Sequence, residues 1–415
     1  MNSQVKSKIM NDPVYGFINI PSNRVFDIIE HPFFQRLRRI KQLGLTYLVY
    51  PGAYHTRFQH AIGAMHLMDN AISTIEAKGH TITKEEKLAV LAAILLHDIG
   101  HGPFSHALEY SIVQGINHEK ISAAFMNCLN IEFGGELELA IEIFQDKYPK
   151  RFLHQLVSSQ LDVDRLDYLR RDSFFSGVTE GVVGSDRIIK MLNVVNDQLV
   201  VESKGIYSIE KFLVARRLMY WQVYLHKTVI SAEQLLVKTL KRARFLSQNG
   251  ENLFATPSLA YFLNNSVKIE DFENTKDSKV LKLFSQLDDY DIMASIKVWT
   301  SHSDFVLAYL SKCMIERKLF KIMLQNSPFD ENQVNQIRNK AIKNLKISPQ
   351  DADYFVFTES ITNYAYSAND EKINILYKNG ELVDIAEASD MLNISVLSRN
   401  VKKYFLCYPK EIHQT

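Results

Sequence analysis

Residues 88–106 read Leu-Ala-Val-Leu-Ala-Ala-Ile-Leu-Leu-His-Asp-Ile-Gly-His-Gly-Pro-Phe-Ser-His, and the fold turns on how this run is interpreted. Nine apolar residues, Leu88 to Leu96, lead straight into adjacent His97 and Asp98 on what reads as a buried helix. Burying an imidazole beside a carboxylate is costly unless both are compensated. A metal cation compensates both, because it takes a ring nitrogen and a carboxylate oxygen together. A hydrogen-bonded structural pair is the commoner reading of an isolated His-Asp. This one is not isolated: eight of the thirteen histidines, His55, His60, His66, His80, His97, His101, His106 and His118, fall between residues 55 and 118. An even spread would put about two there.

Composition narrows the function class. At 415 residues the chain has room for two or three domains, and 46% hydrophobic with 23% charged residues is ordinary for a globular protein. A formal net charge of +1 supplies no basic field for strong nucleic-acid binding. The three cysteines, Cys128, Cys313 and Cys407, form no Cys-x-x-Cys, so neither a disulfide framework nor a thiolate zinc site is indicated. With no apolar run long enough to span a bilayer and no signal-like start, the expectation is a cytoplasmic protein without membrane partners.

Working outward from the central helix, Ala61, Ala64, Met65 and Met68 recur at helical spacing and place His60 near the start of a core-facing helix. Thr83 and Glu86 suit a capping box before the central helix, and Gly100, Gly102 and Pro103 end it in a turn carrying His101, Ser105 and His106. Residues 11–20 read as a turn and a short strand. Residues 33–43 read as a helix whose Arg36, Arg38, Arg39 and Lys41 form a solvated basic face. Leu161 to Asp172 reads as an acidic helix start, and 206–246 as one long helix with Tyr220 and Tyr224 on a packing stripe. Strand signals come late: Tyr354–Phe357, a hairpin around Lys378-Asn379-Gly380, and Tyr404–Tyr408. The expectation is a mainly α chain: a helical core with a short N-terminal strand at 1–245, a helical extension at 246–345 and a mixed α+β lobe at 346–415.

His60, His97, Asp98 and one aspartate of 162–172 make a two-imidazole, two-carboxylate set suited to Fe, Mn, Zn or Ni. Such a set polarises a phosphoryl centre for attack by water. His101, His106 and His118 remain as proton donors, and Arg57, Arg165 and Arg216 as phosphate clamps.

The ordered series Asn11-Asp-Pro-Val-Tyr-Gly16, Phe34-Gln-Arg-Leu-Arg38, Arg57-Phe-Gln-His60, His97-Asp-Ile-Gly-His-Gly-Pro-Phe-Ser-His106, His118-Glu119 and Asp162-Val-Asp-Arg-Leu-Asp-Tyr168 resembles the HD-domain phosphohydrolases. More narrowly, it resembles the deoxynucleoside triphosphate triphosphohydrolases related to the sterile-alpha-motif and HD-domain enzyme, without the sterile-alpha-motif domain. The resemblance implies metal ligands His60, His97, Asp98 and Asp164, with Mg accompanying the nucleotide. It implies active-site groups His106, His118, His101 and Glu109, of which His106 is the first choice as acid. It implies substrate contacts from Gln42, Arg57, Arg165, Tyr168, Asp172, Arg216, Tyr220 and Tyr224. Tyr168 would crowd the 2′-carbon, Asp172 with Gln42 would hold the 3′-hydroxyl, and Tyr220 replaces a histidine of the relatives. The implied reaction is water attack on the α-phosphorus, releasing nucleoside and tripolyphosphate. A homodimer or homotetramer with a nucleotide activator is implied too. Asn11, Gln35 and Arg38 match the regulatory pocket, and Glu30 stands where the relatives carry an aspartate. The alternatives are an HD phosphohydrolase for a monophosphate or signalling nucleotide, or a non-catalytic nucleotide-responsive module.

Overall fold

The Lys84–Leu96 helix forms around the apolar run, and every residue from Ala89 to Leu96 is buried. A helix that is apolar on all sides must be covered on all sides. The Arg57–Ala77 helix lies against it, and the Val163–Ser176 helix crosses the Arg57–Ala77 helix in turn. Thr83 and Glu86 close the expected capping box: the Glu86 amide donates to Thr83 Oγ1 at 3.1 Å and the Thr83 amide to Glu86 Oε2 at 2.8 Å. The computed structural model describes residues 8–104, 111, 113, 115–273, 278–363, 372–390 and 401–413. His106 and Glu109 lie outside the described residues.

The architecture is mainly α, with three small sheets among the described residues. The first is a hairpin, β1 (Lys8–Asp12) and β2 (Gly16–Ile20), where the sequence suggested a single strand. The second has the order β3-β4-β7-β8, from Leu192–Val195, Gln198–Glu202, Asn374–Leu376 and Leu382–Asp384. Its last two strands are the hairpin expected around Asn379-Gly380. The third has the order β5-β9-β6, with β9 (Val401–Tyr408) paired to both β5 (Lys321–Gln325) and β6 (Phe357–Asn363). Strands from the first 245 residues therefore share a sheet with strands beyond residue 370, and β5 joins a C-terminal sheet. One continuous apolar core runs through all these segments.

Three local expectations are corrected. Residues 33–43 are not one helix: Pro32–Gln35 is followed by a 3-10 turn at Arg36–Arg39. The basic face is not wholly solvated either, because Arg36 is fully buried and donates to the carbonyls of Ile99, His101 and Leu287. The 206–246 stretch is divided into Ile206–Met219, a π turn at Tyr220–Tyr224 and Lys227–Gln248. A π turn adds a residue to the helical circuit, which redirects the two tyrosines. The strand expected at 354 begins instead at Phe357, after a 3-10 turn at Asp351–Tyr354. Among the described residues no helix is long and apolar enough to cross a membrane.

Candidate active site

Three helix ends bring the polar residues of the core to one point. His60 sits in the first turn of Arg57–Ala77, His97 and Asp98 follow directly on Lys84–Leu96, and Asp164 is the second residue of Val163–Ser176. The last helix starts where it does because Asp162 caps it, accepting from the Arg165 amide at 2.7 Å and the Ser159 amide at 2.8 Å. His60 Nε2 lies 3.0 Å from Asp164 Oδ1, and His97 Nε2 lies 3.4 Å from that same oxygen. Asp98 completes the group, 3.3 Å from His97 Nε2 and 3.9 Å from His60 Nε2.

These four side chains fit a cation better than they fit one another. Both Nε2 atoms are buried, and neither makes a hydrogen bond to a described residue. Their other nitrogens are firmly held: His60 Nδ1 is 2.7 Å from Asp167 Oδ2 and His97 Nδ1 is 2.6 Å from the Ile94 carbonyl. Anchoring Nδ1 leaves Nε2 turned toward the carboxylates, the arrangement a metal-binding histidine usually has. The electrostatics agree. Burial alone would depress the His60 imidazole, but Asp164 and Asp167 outweigh it and push it up to about 10. Burial would raise the Asp164 carboxyl, yet His60 and His97 hold it far below the usual carboxylate range. The carboxylates around these rings make a field that favours positive charge, which a divalent ion displacing the ring protons would answer.

A second imidazole group meets the same Asp98 oxygen that faces His97. His101 Nε2 lies 3.3 Å from Asp98 Oδ1, and the His101 and His118 rings stack at 3.8 Å with 18° between planes. Gly100 permits this, since a Cβ there would come within 2.3 Å of the His118 carbonyl and the Ser122 amide. Ser122 Oγ binds the turn to the His118–Glu132 helix, accepting from the Gly100 amide at 2.9 Å and donating to the His97 carbonyl at 2.7 Å. Burial and then the Arg57 guanidinium push His101 down to about 3. Arg57 donates to Asp98, so this guanidinium is paired with a carboxylate of the site.

Of the expected substrate residues, Arg165 and Tyr168 lie in the field of Asp164. Arg165 Nε donates to the Ser159 carbonyl at 2.7 Å and Arg216 to Gln160 Oε1 at 3.2 Å. Burial and the neighbouring Tyr220 raise the Tyr168 hydroxyl, with Arg165 and Arg216 opposing, so these groups share one field. Tyr168 and Tyr220 each set a ring edge-on to Tyr224, at 6.1 and 5.2 Å. Tyr224 donates to Asp172 Oδ2 at 2.8 Å, while His55 Nε2 meets Asp172 Oδ1 at 2.7 Å. The Gln42 amide donates to the His55 carbonyl at 3.0 Å, and the Gln42 Oε1 atom is buried without a hydrogen-bond partner among the described residues.

Of the suggested regulatory residues, two meet: Gln35 Oε1 accepts from Arg38 Nε at 2.8 Å, with Glu30 near enough to act on the Arg38 charge. Asn11 faces solvent from β1, across from Phe17. Sequence reasoning missed Asp167 and Arg171, whose i, i+4 spacing was the available signal, and gave His55 no role although it lies inside the histidine cluster.

Two family models match the chain: the HD domain over residues 57–172 and the HD associated region over residues 183–252. The crystal structure of a phosphohydrolase from Bacteroides thetaiotaomicron superposes with a TM-score of 0.93 and 57% identity, over 97% of this chain and 100% of that one. The uncharacterised protein YwfO of Bacillus subtilis is 29% identical over 98% of this chain and 93% of its own length. A Dictyostelium discoideum protein named deoxynucleoside triphosphate triphosphohydrolase SAMHD1 homolog is 34% identical over 58% of this chain. The match spans 50% of that relative's length.

Proposed function

This chain belongs to the HD-domain family of phosphohydrolases, and on that premise we propose that it hydrolyses deoxynucleoside triphosphates to deoxynucleoside and tripolyphosphate. The observation that carries the reading is the convergence of two buried Nε2 atoms on one oxygen of Asp164, at 3.0 and 3.4 Å, with Asp98 beside them. His60, His97, Asp98 and Asp164 would hold a divalent transition metal, which when bound supplies a Lewis acid for a phosphate oxygen and a water acidic enough to attack at neutral pH.

The chain's own residues do the rest. Arg165 and Arg216, steadied by Ser159 and Gln160, receive the phosphates beside Asp164. Attack of water on the α-phosphorus breaks its bond to the 5′-oxygen. Tripolyphosphate departs, and a histidine of the His101 and His118 group, or His106, gives that oxygen its proton. The negative phosphates oppose the field of Arg57, which adds to burial in holding His101 down at rest. Asp172, held by His55 and Tyr224, and Gln42 with its open Oε1 supply acceptors for a 3′-hydroxyl, while Tyr168 restricts the space at the 2′-carbon. The Glu30, Gln35 and Arg38 cluster, with Asn11, is the place for an activating nucleotide in a homodimer or homotetramer.

The test is a panel of the four deoxynucleoside triphosphates, singly and in pairs, with Mn or Fe and chromatographic identification of products. Tripolyphosphate with free deoxynucleoside supports the reading. Orthophosphate or pyrophosphate as the inorganic product would overturn it.

A further inference from the structure

The turn between β1 and β2 reaches the candidate cation site through an unbroken run of buried charges. Asp12 is 5% exposed, and its two oxygens have separate partners. Oδ1 accepts from the amides of Val14 at 2.9 Å and Tyr15 at 3.0 Å, which closes the turn. Oδ2 accepts from Arg171 Nη1 at 2.7 Å. Arg171 is fully buried, and its remaining nitrogens form a fork on Asp167: Nε to Oδ2 at 2.9 Å and Nη2 to Oδ1 at 3.0 Å. Asp167 Oδ2 also meets His60 Nδ1. The network therefore runs from the N-terminal hairpin to the back of a coordinating ring, with His60 and Asp167 both fully buried.

Two further contacts leave it little slack. The Tyr15 ring lies 5.6 Å from the Arg171 guanidinium and 5.3 Å from the His66 ring. A Cβ on Gly63 would come within 2.1 Å of both Arg171 Nη2 and Asp167 Oδ1, so the Arg57–Ala77 helix sits directly on the ion pair. The charges also do not cancel within the network: two carboxylates face one guanidinium, leaving one negative charge behind His60. The His60 ring stands directly between that charge and the Asp164 oxygen on its far side, where a cation would be held.

We propose that Asp12 is a positioning residue for the cation site. Through Arg171 and Asp167, the seating of the hairpin fixes the His60 ring and the charge behind it, and so sets metal affinity. This rests on the metal-site reading above. Asp12→Asn keeps an Oδ1 acceptor for the turn but removes the anion opposite Arg171. Arg171 then draws Asp167 away from His60, and the ring becomes a poorer ligand. Because coupling is reciprocal, metal binding must in turn tighten the hairpin.

The full-length chain, stripped by chelation, is titrated with Co(II), read by its visible absorption and by calorimetry. Asp12→Asn is expected to raise the Co(II) dissociation constant about tenfold, in the range seen when partners behind a ligand are lost. In the unsubstituted protein, Co(II) is expected to slow amide hydrogen exchange in residues 8–20, a measurement that needs no variant to fold. Wild-type affinity in Asp12→Asn, or hairpin exchange indifferent to Co(II), would overturn the coupling while leaving the metal site standing. If the unsubstituted protein bound no Co(II), the metal-site reading and this one would fall together.

Discussion

His60 and His101 both border Asp98, each nearest a different oxygen, yet the protein drives them in opposite directions. His60 is pushed up to about 10 and His101 down to about 3. Burial depresses both, so the neighbours decide. Asp164 and Asp167 bracket one ring, whereas Arg57 confronts the other, with Asp98 only partly offsetting it. An imidazole held between carboxylates is half of a cation site. An imidazole kept neutral beside a guanidinium remains available to handle a proton once phosphate charge arrives. The first group, His60, His97 and Asp164 with Asp98 shared between the two, and the second, His101 and His118, are thus expected to behave differently under substitution.

The largest effect should come from the first group. His97→Ala, Asp98→Ala or Asp164→Ala is expected to abolish metal retention and turnover together, measured by elemental analysis alongside product release. An Asp98→Ala protein that kept both its ion and its rate would erase the distinction. Substitution in the second group should separate the two readouts. His101→Gln or His118→Ala should leave the bound metal near its original level while lowering turnover about 10²–10⁴-fold, the usual range for losing a general acid or base. Loss of the ion from either variant would mean that the second group also coordinates.

Smaller effects follow from the supports. Gly100→Ala must push the His118–Glu132 helix away from the turn, since the new Cβ meets backbone atoms that cannot yield cheaply. The expected cost is about 1–3 kcal/mol of stability, with reduced turnover and retained metal. Thermal melting and elemental analysis check it together. The mildest change, Asp172→Asn, leaves His55 and Tyr224 with a weaker partner and should raise KM for deoxynucleotides about tenfold. An unchanged KM would remove Asp172 from sugar recognition.

The sequence made the cation group far more legible than its supports. His97 and Asp98 are adjacent at the end of an apolar run, and helical periodicity alone placed His60 on a core face. Asp164 was one of several acids in its segment, singled out by resemblance and not by spacing. Asp12 and Arg171 are 159 residues apart, and no local signal joins them. Arg36 read as solvated because its charged neighbours suggested a surface, and only the tertiary fold supplies the three carbonyls that enclose it. The break at Tyr220–Tyr224 was hidden for a related reason, since its residues are acceptable helix formers and the π turn answers to packing. The mixed sheets followed the same rule: the 378–380 turn was visible in the residues, while the parallel pairing of β4 with β7 was not.

The most direct test of the contrast between the two imidazole groups is anomalous diffraction at the metal edge from crystals of the protein loaded with Mn or Fe. The account predicts one strong peak within about 2.0–2.2 Å of His60 Nε2, His97 Nε2 and oxygens of Asp98 and Asp164. A peak seated instead among Asp98, His101 and His118, or none near Asp164, would contradict it.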